Sequence, residues 1–472
     1  MEATNPFSRR TFLSAAAAAG AALAADSLLP NESHAAAADS LLPNESRAAR
    51  SASPVEISYW FPFGGDSELS ELKRAKLFSA AHPDIKINAL YVPPHSGVDN
   101  GKLLAAIAAG NPPDLVVCDL TYGVAAMGYQ GGLVDLAPYL KQVGWQPSHM
   151  VPAALPLMQY PYPNGKLWGM PQDGNLTYFF INKTLFRKAG LDPNKPPTTT
   201  AQLDAYAAKL TTFGSGGRFK TIGFIPWAYD GGGAGGGAFT WPWVFGANFT
   251  KVVNGKVMLT LTDPAFIRAL NWEATYAKKY GSDKLQTAVN SMGNSFSPSD
   301  PFLAGQLAMM VGGNYHTEAL RTYNPTLDYA VWRIPAPPGG RSNATILGTN
   351  VFMVPRGAKH PLEAVKVALG FATGGSEVAT EDIWRTFSMY KQGPNSPKCI
   401  WQQRHDPTYA LELQLAASPN ATNPPLLPIS AQLANSVWTA AQDVIYGKAT
   451  AEHALSQVQS QLQPLLDQAL HQ

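Results

Sequence analysis

Strands and helices alternate along the early part of this chain, and that order restricts the fold more than any other feature. The stretches VEISYWFPF (55–63), IKINALYV (85–92) and DLVVCD (114–119) are predicted strands. Between them, residues 67–83 carry leucines at helical spacing before a proline, and residues 101–110 form a second predicted helix. Strands joined by helices in this way predict a largely parallel, doubly wound sheet of the α/β class.

The first 53 residues are predicted to be an export signal followed by a disordered leader. Residues 8–13, SRRTFL, match the twin-arginine pattern, and the uncharged stretch 11–25 is shorter than the ~20 residues of a spanning helix. Ala22-Leu23-Ala24 fits a signal-peptidase site, and ADSLLPNES occurs twice, at 25–33 and 38–46. We expect export by the twin-arginine route. No cysteine follows the apolar stretch, so no lipid anchor is expected.

Length and composition bound what the remaining chain can do. About 420 of the 472 residues remain, more than one core usually organises, so two domains are expected. A net charge of +2 without a clustered basic face argues against nucleic acid as a partner. After the leader there is no uninterrupted apolar stretch long enough for a membrane helix, so a soluble mature chain is expected. We also expect this chain to be a monomer.

The usual signatures of catalysis and cofactor binding are missing from the sequence. Cys118 and Cys399 are the only cysteines, which excludes CxxC sites and leaves their pairing open. The nine histidines form no HxH or HxxxH pair, and neither GxSxG nor a P-loop occurs. GGGAGGG (231–237) lacks the lysine of a phosphate loop and is interpreted as a flexible loop. We therefore expect an exported protein that binds a ligand and uses neither a metal ion nor a cofactor.

Ligands of doubly wound sheets bind beyond the carboxyl ends of the strands. Two groups of residues follow the first and third predicted strands, and both are candidate ligand contacts: Phe63, Gly65, Asp66, Glu68, and Asp119 with Tyr122. An alternative for Asp66, or for Ser67, is that it only caps the helix that follows.

Seven stretches occur in the order seen in extracellular solute-binding proteins of the carbohydrate type, and the resemblance extends over residues 55–460. The stretches are FSAAHPDIKIN, KLLAAIAAGNPPDLVV, GGLVDLAPYL, NGKLWGMPQDGNLTYFFINKTLFRKAGL with PPTTTAQLDAYAAKL, LTDPAFIRALNWEATYAKKYG, PFLAGQLAMMVGG and GTNVFMVPRGAKHPLEAVKVALGFATG. Such proteins are receptor subunits of ABC importers, with maltose-binding protein a distant relative. The resemblance implies a type II periplasmic-binding-protein fold, in which two α/β lobes trap a sugar or oligosaccharide and the closed form is presented to a membrane permease. It also implies a periplasmic or extracellular location.

The same resemblance implies where the lobes are divided. Lobe 1 is expected to comprise residues 54–172 and 332–358, and lobe 2 residues 173–331 and 359–472. The chain is expected to cross between them near 171–175, 332–338 and 355–360, where prolines occur, as they do in many connectors.

Further ligand contacts are implied by position in the family pattern. They are Asp173, Asn175, Trp227, Trp241, Trp243, Asn314, Tyr315, Gly348 and Asn350, with His316 and Thr349 in the same stretches. AFTWPW (238–243) resembles the aromatic wall of the maltose site, so Trp241 is expected to stand largely in solvent and to stack on a sugar face. Glycines replace the bulky and acidic residues that precede this wall in maltose-binding protein, so maltose is not implied as the ligand.

Three alternatives remain open at the level of the sequence. A receptor for a glycerol phosphodiester would need a cation in the cleft, which Arg385 or Arg404 could supply. An exported hydrolase would need paired carboxylates, drawn from Asp66 with Asp119 or Asp173. A twin-arginine cargo with a redox cofactor would need a ligand motif that the sequence lacks.

Overall fold

The computed structural model describes residues 53–63, 66–93, 101–118, 121–150, 154–160, 165–229, 237–291, 298–373, 389–390 and 408–470. Several predictions fall outside these residues: the leader up to residue 52, Gly65, Asp119, the glycine loop at 231–236, Arg385, Cys399 and Arg404. The pairing of Cys118, which is buried at the end of a strand, therefore stays open.

The described residues form both strands and helices, and the two alternate most regularly between residues 55 and 129. The strands are β1 (Val55–Phe61), β2 (Ile85–Tyr91), β3 (Leu115–Cys118), β4 (Gln159–Tyr160), β5 (Lys166–Leu167), β6 (Met170–Pro171), β7 (Asn175–Asn182), β8 (Thr212–Phe213), β9 (Phe219–Thr221), β10 (Thr250–Val253), β11 (Lys256–Leu259), β12 (Met309–Gly313), β13 (Tyr329–Trp332), β14 (Thr345–Gly348), β15 (Val351–Met353) and β16 (Ala421–Thr422). The helices are α1 (Asp66–Ala81), α2 (Lys102–Ala108), α3 (Thr121–Tyr129), α4 (Ala137–Gln142), α5 (Leu155–Met158), α6 (Lys183–Lys188), α7 (Thr200–Leu210), α8 (Gly237–Phe245), α9 (Pro264–Tyr280), α10 (Ser282–Ser291), α11 (His316–Tyr323), α12 (Pro361–Thr373), α13 (Tyr409–Ala416), α14 (Ser430–Ile445) and α15 (Ala451–Leu470), with short 3₁₀ helices at Pro147–His149 and Ser215–Gly217. None of the described helices combines the length and the apolar character needed to cross a membrane.

The first sheet has the strand order β2-β1-β3-β15-β6. β1 is parallel to both β2 and β3, and helices α1 and α2 connect these three strands, which confirms the strands and helices predicted between residues 55 and 119. Ile57, Tyr59 and Phe61 alternate along β1 on its buried face. β15, which arrives from much later in the sequence, runs antiparallel to β3 and β6.

The second sheet is built around β7, which pairs antiparallel with β12, β13 and β14. Seven of its eight residues are buried, as expected for a strand covered on both faces. This sheet is less parallel than the alternation predicts. Alternation constrains only strands joined by a single crossover helix, whereas the neighbours of β7 come from distant segments.

The strand pairing differs from the predicted lobe boundaries in two places. β13 and β14 both pair with β7, so the chain returns to the first sheet between Gly348 and Val351 and not near residue 332. α12 packs against α1 and β1, so residues 361–373 accompany the first sheet. The prolines within 332–338 lie in a connection between two strands of one sheet. Proline restricts φ in any connector and so could not distinguish the two cases.

Replacing Glu273 by glutamine is expected to raise the free energy of unfolding at pH 7. Glu273 lies on α9 and is 3% exposed. Burial raises the pKa of its carboxyl group well above the ordinary value. The folded protein therefore holds a proton that the unfolded chain releases, so the wild type loses stability as the pH rises above the unfolded pKa. Chemical denaturation at pH 7 and pH 4 checks this.

The gain from Glu273→Gln should be nearly lost at pH 4, where the carboxyl group is mostly protonated in the unfolded chain as well. Glu452 is exposed in the first turn of α15, where its negative charge favours the helix, so the control Glu452→Gln should slightly lower stability at pH 7 instead of raising it. Equal stabilities of wild type and Glu273→Gln at pH 7 would contradict the prediction.

Candidate functional site

Two short segments connect the sheets and lie side by side. Residues 172–174 join β6 to β7, and residues 349–350 join β14 to β15. The backbone N–H of Gln172 donates to the carbonyl oxygen of Asn350 at 2.7 Å. Asp173 Oδ1 accepts from the backbone N–H of Asn350 at 3.1 Å, and its Oδ2 accepts from Asn350 Nδ2 at 3.0 Å. The predicted ligand contacts Asp173 and Asn350 thus bind each other and tie the two segments together.

Strand ends from both sheets meet at this crossing. In the first sheet, β3 ends at Cys118, which pairs with Val351 directly after the crossing. In the second sheet, β14 ends at Gly348, which pairs with Asn175, and β12 ends nearby at Gly313. Carboxyl ends of strands are where doubly wound sheets bind ligands, so the crossing is the candidate site. Asn175 and Gly348, both predicted contacts, are half-buried here.

Asn314 links the end of β12 to the crossing. Its Oδ1 accepts from the backbone N–H of Leu176 at 3.3 Å, and its Nδ2 donates to the carbonyl oxygen of Gly174 at 3.2 Å. The side chain is fully buried. It does not face the cleft as predicted, because its amide supports the backbone of the crossing.

Tyr315 places an aromatic ring directly after β12. The ring lies over Gly313 so closely that a Cβ added there would be 2.2 Å from Tyr315 Cε1. It also stacks on His316, with ring centroids 4.9 Å apart and planes inclined by 28°. Tyr315 is half-buried, so part of the ring reaches the surface. A flat ring held at a strand end suits the C–H face of a sugar. We call this ring, with Gly313 and His316 beneath it, the Tyr315 platform.

A second segment reaches the same end of β12. Ile222 forms a parallel bridge with Leu307, so the residues after it run alongside β12. Tyr229 meets His316 at 5.5 Å between ring centroids. Trp227 is 6% exposed, and its buried Nε1 has no hydrogen-bond partner in the described part of the chain. Because a buried donor without a partner costs free energy, this N–H is suited to an oxygen atom of a ligand.

Trp241 is a core residue, and the prediction that it stands in solvent is wrong. Its side chain is 0% exposed, and its Nε1 donates to the carbonyl oxygen of Pro226 at 2.8 Å. Its ring packs against Trp272, with centroids 4.6 Å apart, and against Phe224. α8 packs on α9, and Trp241 lies between them with Trp272 of α9.

Trp243 lies near the carboxyl end of α8, where its side chain makes two polar contacts. Its Nε1 donates to the carbonyl oxygen of Asn420 at 2.7 Å, and the guanidinium of Arg341 lies 3.5 Å from its ring centroid. The same Arg341 Nη1 donates to the carbonyl oxygens of Trp243 and Ala247. One face of the indole is thereby covered by a cation that also satisfies carbonyl groups at the helix end.

Only some of the ligand contacts predicted in lobe 1 lie among the described residues. Phe63 is half-buried and packs on the core, and Glu68 is half-buried on α1. Asp66 begins α1 and Tyr122 lies in α3, but the side chains of both fall outside the described part of the structure. In the described residues, no group of three or more His, Cys, Asp or Glu side chains is placed to hold a metal ion.

Gln172 also lies at the candidate site, but the sequence did not predict it as a site residue. Its Nε2 donates to Glu71 Oε1 at 3.0 Å, and the Tyr59 hydroxyl donates to Glu71 Oε2 at 2.9 Å. Burial and the Glu71 charge raise the pKa of Tyr59. This buried network joins the crossing to α1. Gln172 Oε1 is also buried without a hydrogen-bond partner among the described residues. A glutamine within a crossing segment carries no sequence signal that would have revealed these contacts.

Comparison with known proteins agrees with this architecture. The family model for the bacterial extracellular solute-binding protein matches residues 64–374. The sn-glycerol-3-phosphate-binding periplasmic protein UgpB of Brucella abortus (strain 2308) is 24% identical over 263 residues, which are 54% of this chain and 56% of that protein. The UgpB of Escherichia coli (strain K12) is 32% identical over 163 residues, or 34% of this chain and 36% of its own length. The chain thus matches about half, or less, of the length of these curated relatives.

Two solved structures resemble the chain over nearly their entire length. CpMnBP1 with mannotriose bound is 32% identical, has a TM-score of 0.75, and is matched over 86% of this chain and 99% of its own. UgpB from Mycobacterium tuberculosis in complex with glycerophosphocholine is 19% identical, has a TM-score of 0.68, and is matched over 89% of this chain and 100% of its own, a likeness of fold alone. With its two-lobe α/β architecture of type II, this chain belongs to the bacterial extracellular solute-binding protein family.

Proposed function

We propose that the protein is the substrate-binding receptor of an ABC importer and that it holds a short oligosaccharide in the cleft between its lobes. The observation that carries this proposal is the likeness to the mannotriose complex of CpMnBP1, at 32% identity over 99% of that chain. The Tyr315 platform, which stands at the crossing, supports it from within this chain. Mannobiose and mannotriose are the first ligands to test.

The chemistry of the cleft suits a neutral sugar. The Tyr315 ring offers an apolar face for a C–H face, Trp227 Nε1 offers a donor, and Asn175 at the start of β7 offers an amide. One hydroxyl hydrogen bond contributes only ~0.5–1.5 kcal/mol net, whereas a buried partner left without one costs ~1–3 kcal/mol. Selectivity then comes mainly from sugars that leave a buried group unpaired.

Closure is proposed to occur about the two crossing segments. Following the strand pairing, lobe 1 comprises residues 54–172 with 351–373, and lobe 2 residues 173–350 with 408–470. The pair formed by Asp173 and Asn350 keeps the crossing segments together while the lobes rotate. The closed form is then the one presented to a permease.

A second candidate is a receptor for a glycerol phosphodiester. It is supported by chemical likeness: the curated relatives are named as binding sn-glycerol-3-phosphate, a phosphomonoester that shares the glycerol and phosphate groups of such a diester. A phosphodiester needs a cation or several N–H donors in the cleft. Arg385 and Arg404, the arginines considered for that role, lie outside the described residues.

The protein is expected to bind mannobiose or mannotriose and to convert neither. A ligand at a hundredfold excess over its Kd stabilises the folded form by ~2.7 kcal/mol, which raises the Tm by about 5–10 °C for a lobe-sized cooperative unit. Thermal unfolding with mannobiose, mannotriose, maltose, glycerophosphocholine and an amino acid checks this, with product analysis of each sugar. A shift with glycerophosphocholine alone would establish the second candidate, and released monosaccharide would make the protein an enzyme.

Replacing Trp227 by phenylalanine tests whether the cleft at β12 is the site. Phenylalanine keeps an aromatic ring but lacks the pyrrole part of the indole and its unpartnered N–H, so mannotriose should bind about 2- to 12-fold more weakly if that N–H serves the sugar. Trp332→Phe is the matched control, because Trp332 Nε1 is also buried without a partner among described residues. Trp332 pairs with Phe179 on β7, four residues beyond Asn175, so its replacement should leave the Kd unchanged. Equal affinities of wild type and Trp227→Phe by isothermal titration would remove Trp227 from the site.

The family to which the chain belongs is extracellular, and the route of export is our proposal. Arg9 and Arg10 with Phe12 and Leu13 support the twin-arginine route, with the mature chain beginning between residues 25 and 50. We further propose that the exported protein is a monomer, carries no lipid anchor and acts with a membrane permease. N-terminal sequencing of the exported protein that returned Met1 would contradict the cleaved leader.

A further inference from the structure

The buried histidine of the Tyr315 platform lies directly beneath the Tyr315 ring and is enclosed by groups from three segments. His316 begins α11, and its Nδ1 lies 3.2 Å from the carbonyl oxygen of Gly313. Phe180 of β7 meets its ring edge to face at 6.0 Å, and Tyr229 does so at 5.5 Å. A Cβ added at Gly312 would lie 3.1 Å from Nδ1, so the absence of a side chain there admits the imidazole.

Tyr229 is itself held in an unusual conformation. Its φ is 54°, in the left-handed region that residues other than glycine seldom adopt. Its buried hydroxyl group forms no hydrogen bond of normal geometry with a described residue, yet burial and the nearby Asp300 charge raise its pKa. A conformation of this kind persists when its surroundings determine it, and such residues cluster at binding sites.

Asp300 anchors the other side of this group. It is fully buried, and its Oδ1 accepts from the backbone N–H groups of Phe302 and Leu303 at 2.8 and 3.0 Å. Burial raises the pKa of the carboxyl group, an effect opposed by these backbone bonds, by Tyr229 and by His316. Tyr229 and His316 therefore pack together behind the half-buried Tyr315 ring, and the Asp300 charge acts on both of them.

We propose that His316 is a positioning residue, which sets the plane of the Tyr315 ring for a bound sugar and is itself held by its ring contacts with Tyr229 and Phe180. This inference rests on the proposed function, because it assigns the platform to a saccharide. The imidazole supplies a flat face beneath the Tyr315 ring, and its contact with the Gly313 carbonyl stops it from rotating. A stacking ring held in one plane loses less conformational freedom on binding than one that rotates.

The test is a double-mutant cycle read by isothermal titration with mannotriose. His316→Asn retains a donor for the Gly313 carbonyl but removes the flat face, so the Kd should rise about tenfold. His316→Phe retains the flat face, so its Kd should stay within about threefold of wild type. In a Tyr315→Ala background, His316→Asn should cause no further loss, because His316 acts only through the ring that is already absent.

His82→Asn is the matched control. His82 also packs its ring against an aromatic ring, that of Phe78, at 4.3 Å, but it lies just beyond the carboxyl end of α1, far from the crossing. Unfolding of each unliganded variant is measured alongside, so that affinity is expressed per folded molecule.

Two results would overturn the inference. They are a His316→Asn variant with the wild-type Kd, and equal losses in the presence and absence of Tyr315, which would mark His316 as a structural residue. If the wild-type protein binds neither mannobiose nor mannotriose, the proposed function is contradicted instead. The role proposed for the platform in sugar binding is then contradicted as well.

Discussion

Trp241→Ala is expected to lower the free energy of unfolding of the unliganded protein by ~3–5 kcal/mol, the usual cost of truncating a large buried aromatic side chain. The indole is fully buried between α8 and α9, where it packs on Trp272 and Phe224. The carbonyl oxygen of Pro226 would also lose the donor that it has at 2.8 Å. For a lobe-sized cooperative unit the Tm should fall by about 6–20 °C.

Calorimetry of the unliganded protein checks this, together with titration of mannotriose at a temperature where the variant is folded. Trp241→Phe keeps most of the apolar ring and loses the hydrogen bond, so its loss should be smaller, about 1–3 kcal/mol. Affinity per folded molecule should be unchanged in both variants. Unchanged stability combined with a large loss of affinity would instead return Trp241 to the cleft.

Tyr315→Ala is expected to weaken mannotriose binding about 10- to 60-fold. A ring that hides ~50–100 Å² of apolar surface on binding contributes ~1–2.5 kcal/mol at ~25 cal/mol per Å². Tyr315→Phe keeps the face that stacks, so its affinity should stay within a few-fold of wild type. Because Tyr315 is half-buried, truncation should cost less stability than truncation of Trp241.

The same platform can be disturbed without touching the ring. A Cβ at position 313 would lie 2.2 Å from the Tyr315 ring, so Gly313→Ala must displace that ring and should also weaken binding. Gly214→Ala is its control, since the nearest atom to a Cβ there is 4.0 Å away. Wild-type affinity in both Tyr315→Ala and Gly313→Ala, measured by isothermal titration, would place the sugar elsewhere.

The sequence could not predict which aromatic ring lies at the candidate site. AFTWPW and the nearby glycines indicate an aromatic segment next to a loop, but a helix turns each residue by 100°, and only its packing partners decide which ring faces inward. α9 covers Trp241, and Arg341 covers one face of Trp243. Tyr315, which has no neighbouring tryptophan in the sequence, is the ring that the structure places at the crossing.

The hydrogen-bond partners of Asn314 and Asp173 were likewise not predictable from the local sequence. Position in the family pattern suggested both as ligand contacts, and both contact the crossing segments. A buried polar group must find a hydrogen-bond partner, and the partners here are the backbone of Gly174 and Leu176 and the amide of Asn350. Whether a polar side chain serves the backbone or a ligand depends on groups that are about 140 to 177 residues away in the chain, and no local pattern records them.

Periodicity and motif order are local properties of the amino-acid sequence, so they were sufficient to predict the α/β class, the elements from β1 to β3, and the family. Three-dimensional contacts were needed to show which segment pairs with β7, where the chain returns to the first sheet, and that His316 and Tyr229 pack together. Strand pairing and burial join residues across long separations, and no local pattern specifies those partners. The free energy of those contacts comes from surfaces that the linear order does not place together.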